Sequence, residues 1–250
     1  MYFHNLDPVL FKLGFLDIRY YGLVYLFGFL LTFFILKKNE KELNLKEDDV
    51  YNFIFYWFIG VIFGARIFHF VFSEPYTLIE DPLEIFRIWN GGMSFFGSLT
   101  GVILMSYIFC KRNKINFFKL ADILVLPTSF VLFLGRIANF INAELIGTIT
   151  TVPWCVIFPT YAQCRHPYQI YAALSHLSLF FILLGIRKIK DKKKLKDGIV
   201  FISFIIFYSL FRIITDFFRE DPKIFGFTIW QYMCLVFLLF GIYLYKKINY

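Results

Sequence analysis

"FFKLADILVLPTSFVLFLGRIANFINAELIG", Phe117 to Gly147, is the stretch of sequence that decides the fold. Its first part, Phe117–Gly135, is predominantly apolar and close to the roughly 20 residues that an α-helix needs to cross a bilayer. The apolar part is followed by a segment rich in polar side chains, among them Arg136, Asn139 and Glu144. The stretch therefore predicts a transmembrane helix with a group of polar residues at one end.

Apolar runs of this kind recur along the whole chain. Hydrophobic residues make up 59% of the 250 residues and charged residues 18%, whereas soluble proteins contain about half and about a quarter. The sequence therefore predicts an all-α polytopic membrane protein that forms one integral membrane domain over residues 1–250. The seven predicted transmembrane helices are Ile18–Ile35, Val50–Phe72, Met93–Cys110, Phe117–Gly135, Pro167–Ile186, Ile199–Asp216 and Phe227–Tyr245.

The lysines indicate the orientation of these helices. They concentrate in the connections after spans one, three and five and at the C-terminus, as in "RKIKDKKKLKD" at 187–197. Because cationic loops stay in the cytoplasm, we expect the N-terminus outside, the C-terminus in the cytoplasm and a small extracytoplasmic loop region. The same distribution explains the net charge of +8 as a topology signal, so nucleic acid is not an expected partner.

The arginines are distributed differently from the lysines. An arginine side chain is a rigid fork that suits the binding of phosphate or carboxylate in a partly dry site. The alternative interpretation is that individual arginines only extend toward lipid headgroups. Most arginines stand outside the lysine-rich connections, namely Arg19, Arg66, Arg87, Arg136, Arg165, Arg212 and Arg219.

Polar residues gather at the predicted outer ends of several spans. Ionisable side chains within a membrane are costly, so they indicate function by default. In "GRIANFINAE", Arg136, Asn139 and Asn142 are three residues apart and share roughly one helix face, although Asn142 also suits a cap or turn. Arg212 and Asp216 stand four residues apart. That spacing suits either an anion-binding arginine that is neutralised when empty or an ordinary internal ion pair.

Glycines concentrate in "WNGGMSFFGSLTG" at 89–101. Glycine lets the backbone approach a ligand or another helix closely. Gly91 and Gly92 predict a turn or loop that enters the membrane, whereas Gly101 predicts close helix packing.

The cysteines and two of the histidines give weaker signals. The four cysteines lack the spacing of a metal site, and no metal or cofactor is expected. Cys155 and Cys164 share a predicted outer loop, where they form either a disulfide in an oxidising compartment or two unlinked small residues. His4 and His176 have no partner visible in the sequence and are predicted to be structural.

The polar end of the opening stretch, "GRIANFINAELIG" at 135–147, fills every fixed position of the pattern Gly-Arg-x-Gly/Ala-Asn-Phe-x-Asn-x-Glu-x-x-Gly. Further matches are "IRYYGLVYLFGF", "FGARI", "DPLEIFRIWNGGMSFFGSLTGVI", "PWCVIFP", "RHPYQIY" and "FRIITDFFRE". In these segments the chain resembles the prolipoprotein diacylglyceryl transferases. The family residues carry over as Tyr21, Arg136, Asn139, Glu144, Gly147 and Arg212, with Asp216 where the family usually has Glu.

The resemblance implies a reaction and its partners. The diacylglyceryl group of phosphatidylglycerol is transferred to the thiol of the lipobox cysteine in prolipoprotein signal peptides, and glycerol phosphate leaves. The implied location is the prokaryotic cytoplasmic membrane, with the active site toward the outer face, among membrane lipids. The implied catalytic residues are Arg136, Arg212, Tyr21 and His166. The candidate substrate-binding residues are Arg136, Asn139, Glu144, Gly147, Gly91, Gly92, Gly97, Asp216 and Arg66.

One position departs from the family pattern. Phe96 stands where the family usually has a histidine that has been proposed for the chemistry, and phenylalanine cannot transfer a proton. His69 and His166 are the substitutes that the sequence offers. Phe96 also supports an alternative, a related seven-span lipid-binding or lipid-modifying protein with altered chemistry. A transporter or receptor is less favoured, because a transporter is expected to show repeated halves and charges at the midplane.

Overall fold

The structure, a computed structural model, describes residues 1–14, 16–72, 74–87 and 92–249. Gly91 and the side chain of Phe96 lie outside the described part, so the expectations for these two positions stay predictions. In lipid, an apolar segment must satisfy its backbone hydrogen bonds internally, which favours helices. The described helices are α1 (Tyr20–Lys38), α2 (Glu40–Leu43), α3 (Glu47–Phe72), α4 (Pro75–Glu80), α5 (Phe95–Asn113), α6 (Phe117–Ile141), α7 (Tyr168–Lys193), α8 (Ile199–Thr215) and α9 (Ile229–Asn249).

The all-α membrane fold is confirmed, with six helices in the described part that are long and apolar enough to cross a bilayer. They correspond to six of the seven predicted spans. The segment predicted over Met93–Cys110 forms α5, which has 19 residues and ends with Lys111, Arg112 and Asn113. These polar residues lower the apolar content of α5, and it is not among the six. The seventh crossing and the orientation of the termini stay predictions.

The helices fall into two compact units. The first unit contains Met1–Thr32 and Ala121–Tyr250, and the second contains Phe33–Leu120. The description of residues 1–250 as one domain stays a prediction.

In the first unit, α7 and α8 run antiparallel around an apolar core. Their connection turns at Lys194 and Gly198, which both have positive φ angles, of 50° and 98°. The core of this unit includes Val125 of α6, Leu179 and Leu183 of α7, and Ile199 and Val200 of α8.

A loop between α6 and α7 covers one end of the first unit. Its strand β4 (Val156–Ile157) pairs in parallel with β1 (Tyr2–Phe3) at the N-terminus. Cys155 and Cys164 form a disulfide, with Cα atoms 5.6 Å apart, so the first of the two alternatives for these cysteines is the one observed. The loop is thereby closed covalently between its strand and the start of α7. The other short strands are β2 (Val9–Leu13), β3 (Leu16–Arg19), β5 (Lys223–Ile224) and β6 (Phe227–Thr228), which form the hairpins β2–β3 and β5–β6.

The second unit is built on the contact between α3 and α5. Gly60 of α3 faces Gly101 of α5, and Gly64 faces Gly97. A Cβ atom on Gly60 would lie 2.7 Å from the carbonyl oxygen of Gly101, so the backbones are too close for any larger residue. The close helix packing predicted for Gly101 is confirmed.

Candidate active site

The first part of the candidate site lies at the C-terminal end of α6. Arg136 is half-buried, and its Nη1 donates a hydrogen bond to Oδ1 of Asn139 at 3.2 Å. Asn139 in turn donates from Nδ2 to the Glu144 carboxylate at 2.8 Å, and Asn142 donates to the other oxygen of that carboxylate at 3.2 Å. Asn139 therefore lies between the guanidinium and the carboxylate. Among the described residues, Arg136 forms no direct ion pair with an acid.

The second part comes from α8 and the start of α7. Arg212 donates from Nε to Oδ2 of Asp216 at 2.9 Å, and Tyr168 donates from its hydroxyl to Oδ1 of the same carboxylate at 2.7 Å. The Asp216 side chain is fully buried. Because Arg212 uses Nε for this pair, its terminal nitrogens point elsewhere, and they have no hydrogen-bond partner within the described ranges.

These two parts are close enough to interact electrostatically. The charge of Arg136 lies within electrostatic range of Arg212 and Arg219. Arg219 pairs with Asp221 at 3.0 Å and lies over the Tyr168 ring, with its guanidinium carbon 5.7 Å from the ring centroid. Burial raises the pKa of the Asp221 carboxyl, and the neighbouring Arg219 opposes this rise. The result is a cluster of three arginines at one end of the helix bundle of the first unit.

Gly147 holds the outer loop against this cluster. A Cβ on Gly147 would collide with the carbonyl oxygen of His166, and it would lie 2.9 Å from that of Phe218. Arg165 donates to the Gly147 carbonyl at 3.1 Å and forms an ion pair with Glu220. Three chain segments meet at Gly147, and only a hydrogen atom fits there.

His166 belongs to an aromatic group at the rim of the cluster. Its Nδ1 lies 3.1 Å from the Tyr171 hydroxyl, which also accepts a hydrogen bond from Nε1 of Trp154 at 2.7 Å. The rings of His166 and Phe218 make an edge contact at 5.0 Å. Partial burial lowers the pKa of His166, which favours its neutral form.

Tyr21 reaches the site through its neighbour on α1. The rings of Tyr21 and Tyr25 are 5.2 Å apart, and Tyr25 lies within electrostatic range of Glu144. The same part of α1 faces the end of α6 across an open apolar cavity of about 270 Å³. This cavity is lined by Tyr20, Leu23, Val24, Phe27, Leu134, Ile137, Ala138 and Ile141.

Three further candidates, Arg66, Gly92 and Gly97, lie in the second unit, where they contact its backbone or pack closely against neighbouring residues. Arg66 is 2% exposed and donates hydrogen bonds to the carbonyl oxygens of Glu84, Ile85, Arg87 and Gly92. Gly92 has a φ of +70°, and a Cβ there would lie 2.7 Å from the His69 ring.

Gly97 packs against Gly64 without space for a side chain. The contacts of Arg66, Gly92 and Gly97 therefore fit a role in shaping helix and loop packing, and their assignment to substrate stays a prediction.

Sequence reasoning missed two contacts that complete the site. Tyr168 stood in the motif "RHPYQIY", but nothing in the sequence indicated its bond to Asp216. Gln169 in the same motif donates from its side chain to the Glu144 backbone carbonyl at 2.5 Å. Both contacts join segments that are distant in sequence, so the sequence could not predict them. The only indication that Tyr168 and Gln169 belong to the site was their place at the polar start of a predicted helix. Within the described part of the chain, no cluster of three or more His, Cys, Asp or Glu side chains has the arrangement of a metal site.

Comparison with known proteins adds to this geometry. A family model described as prolipoprotein diacylglyceryl transferase matches residues 8–246. A protein of Geobacter sulfurreducens is 43% identical over 230 residues, which cover 90% of this chain and 87% of that protein. Relatives in Rickettsia bellii and Ehrlichia ruminantium are 39% and 34% identical, over 99% and 92% of this chain and 97% and 90% of theirs. All three relatives are named phosphatidylglycerol–prolipoprotein diacylglyceryl transferase.

Proposed function

Since the chain belongs to the prolipoprotein diacylglyceryl transferase family, we propose that it transfers the diacylglyceryl group of phosphatidylglycerol to the lipobox cysteine of prolipoproteins. Glycerol phosphate is the second product. One observation carries the proposal: two arginines from different helices, Arg136 and Arg212, lie within electrostatic range while part of each guanidinium is without an acidic partner in the described residues. Such a pair suits a phosphate that must be bound and then released with increased negative charge.

The chemistry assigns the two arginines to the leaving group. The thiol attacks the glyceryl carbon, the bond from that carbon to the phosphate oxygen breaks, and the electron pair leaves with glycerol phosphate. Donors already fixed in a partly dry site stabilise such developing charge strongly. Asn139 orients Arg136 and Asp216 orients Arg212, so little reorganisation is needed when the charge develops.

Asp216 preserves this arrangement although it is shorter than the usual glutamate. Its carboxylate accepts from Nε of Arg212 at 2.9 Å and from the Tyr168 hydroxyl at 2.7 Å. Tyr168 thus supplies the second contact that holds the acid in place. The shorter side chain is compatible with the same function because its neighbours reach it.

The remaining candidates are assigned to the rim and to the lipid tail. Glu144 is hydrogen-bonded to Asn139 beside Arg136, and we assign it, together with Gly147, Tyr21 and His166, to orientation of the headgroup and of the approaching peptide. The apolar cavity between α1 and α6, of about 270 Å³, suits part of one acyl chain, since ligand pockets are concave and mostly apolar.

The proposed location is the cytoplasmic membrane of a prokaryote, with the arginine cluster at the outer face. The Cys155–Cys164 disulfide supports an oxidising environment on that side. The lysine-rich connections at the other helix ends support a cytoplasmic environment there. Both substrates, an anionic lipid and a lipobox signal peptide, are available at that face.

The test is an in vitro reaction of the purified protein with phosphatidylglycerol and a lipobox peptide, in which thioether product and glycerol phosphate are both measured. Equal amounts of the two products are expected, and Arg136→Ala serves as the strongly impaired control. A folded wild-type protein that binds phosphatidylglycerol without forming thioether would instead support the altered-chemistry alternative, and Phe96→His would then be the variant that gains transfer. The names of the relatives do not favour that alternative.

A further inference from the structure

His176 is a buried histidine on α7. The residue is only 2% exposed, and neither ring nitrogen has a hydrogen-bond partner among the described residues. Buried polar side chains are nearly always hydrogen-bonded, so an exception requires an explanation. An imidazole whose two nitrogens are both unpartnered suits a ligand that arrives later.

The register of α7 against α8 places His176 beside the arginine cluster. At the start of α7, Tyr168 bonds to Asp216, and two turns later His176 stacks on Tyr208 with ring centroids 5.5 Å apart and an angle of 8° between the planes. The charges of both Arg136 and Arg212 lie within electrostatic range of His176.

The depth of His176 matches the reacting carbon rather than the headgroup. At a rise of 1.5 Å per residue, His176 lies about 12 Å along the helix from Tyr168. The ring it stacks on, Tyr208, is one helical turn from Arg212, roughly 6 Å farther from the end of α8. In phosphatidylglycerol, the carbon that is transferred lies between the phosphate and the acyl esters. A phosphate held by Arg136 and Arg212 therefore directs this carbon toward the level of His176.

We propose that His176 is the general base that accepts the proton of the lipobox thiol. This proposal rests on the proposed function and adds the group that activates the nucleophile. The S–H proton moves to an imidazole nitrogen as the sulfur–carbon bond forms and the carbon–oxygen bond to phosphate breaks. The proton then passes to the departing glycerol phosphate, which returns the imidazole to its neutral form. A bound phosphate brings negative charge beside the ring and so stabilises the imidazolium that forms.

The other histidine near the cluster is less suited to this role. Nδ1 of His166 is already in contact with the Tyr171 hydroxyl, within the aromatic group of the outer loop. His166 is also fixed by the packing of Gly147 against its backbone. His176 has neither of these two contacts, and it is buried within range of both arginines.

A pair of lipobox peptides, one with cysteine and one with selenocysteine, separates a base from a packing residue. A selenol ionises at lower pH than a thiol and needs no base near neutral pH. General-base catalysis contributes about 10²–10⁴-fold, so His176→Gln is expected to lower kcat/KM for the cysteine peptide by about that factor. The loss for the selenocysteine peptide is expected to be much smaller. Arg136→Ala is expected to lose activity with both peptides, because both reactions release phosphate.

His4→Gln is the matched control. His4 is also buried, but its Nε2 contacts the Phe140 carbonyl at 2.7 Å, a hydrogen bond that a glutamine amide can replace. It is expected to react with both peptides as the wild type does.

The outcomes are distinct. Wild-type turnover of the cysteine peptide by His176→Gln, or an equal loss with both peptides, overturns the assignment of His176 as the base. If His176→Gln fails to insert, His176→Asn takes its place, because asparagine is smaller and also cannot accept the proton. The same two results, wild-type turnover of the cysteine peptide or an equal loss with both peptides, overturn the proposal for either variant. A wild-type protein that forms no product with either peptide overturns the proposed function itself.

Discussion

Two largely buried ionic clusters, formed by α6, α7, α8 and the α7–α8 connection, differ in how completely their charges are paired. The paired cluster consists of Asp122, Lys190 and Asp197. Asp122 is fully buried and accepts hydrogen bonds from Nζ of Lys190 at 2.7 Å and from the backbone nitrogens of Gly198 and Phe201 at 2.9 Å and 2.7 Å. Lys190 also donates to Asp197 at 2.8 Å.

The open cluster consists of Arg136, Arg212, Asp216 and His176. Here the terminal nitrogens of Arg212 and both nitrogens of His176 have no hydrogen-bond partner in the described part of the chain, and Arg136 contacts only an amide oxygen. Buried charges stabilise a fold when they are fully paired, and leaving one unpaired is costly. The difference therefore indicates that the paired cluster fixes the helices and that the open cluster awaits an anionic ligand.

The largest expected effect is on the paired cluster. Asp122→Ala leaves Lys190 with one acid and removes the acceptor at the start of α8, and loss of one partner from a buried pair costs about 3–5 kcal/mol. Thermal unfolding in detergent should show this as a large loss of stability or of folded protein. Asp191→Ala is the matched control, because it removes a carboxylate that is 58% exposed in its pair with Arg187, and surface ion pairs contribute about 0–1 kcal/mol. Similar stabilities for both variants would mean that the paired cluster does not hold the helices.

Arg136→Ala should break the open cluster without breaking the fold. The loss of a charge-assisted contact to phosphate should cost about 1.5–3 kcal/mol or more, which lowers the rate about tenfold to over a hundredfold. Thioether formation and the melting temperature are to be measured on the same preparation. Near-normal turnover in folded protein, or a loss of stability equal to that of Asp122→Ala, would contradict the division between the two clusters.

Arg212→Lys should have a smaller effect on transfer than Arg136→Ala. Lysine keeps the charge but not the fork, so one ammonium cannot maintain both the Nε position at Asp216 and the terminal donors. We expect reduced kcat with folding preserved, measured as steady-state product formation at saturating phosphatidylglycerol. Full activity would show that Arg212 acts only as a diffuse charge.

The two clusters also show how far the sequence predicts the site. Spacing within one helix was sufficient for the pairs Arg136–Asn139 and Arg212–Asp216, which are both hydrogen-bonded. Contacts between helices were not predictable in this way, because they depend on the register of α7 against α8. His176 was predicted to be structural for this reason. Only the register shows it stacked on Tyr208 within range of two arginines.

The fold shows the same difference between features that one helix determines and features that depend on two helices. Six long apolar helices were predictable because each needs only its own composition to satisfy its backbone in lipid. The position of α5 depends instead on matched glycines in two helices, of which Gly101 was predicted and the partner Gly60 was not. The substrate assignment of Arg66 stays a prediction, and its hydrogen bonds to backbone carbonyls of the segment that follows α4 were not predictable from the sequence.

The smallest expected effect concerns His166 at the rim of the open cluster. Burial lowers the pKa of His166 in the folded protein below its unfolded value of about 6.5. The folded protein therefore binds fewer protons than the unfolded chain, so its stability is greatest above that value and falls as the pH decreases through it. His166→Gln removes this dependence. The variant should be less stable than the wild type near pH 8, where it has lost the contacts with Tyr171 and Phe218, and the difference in melting temperature should shrink toward about pH 5. A difference that grows in acid would mean that His166 is stabilised as a cation, and the rim would then resemble the paired cluster.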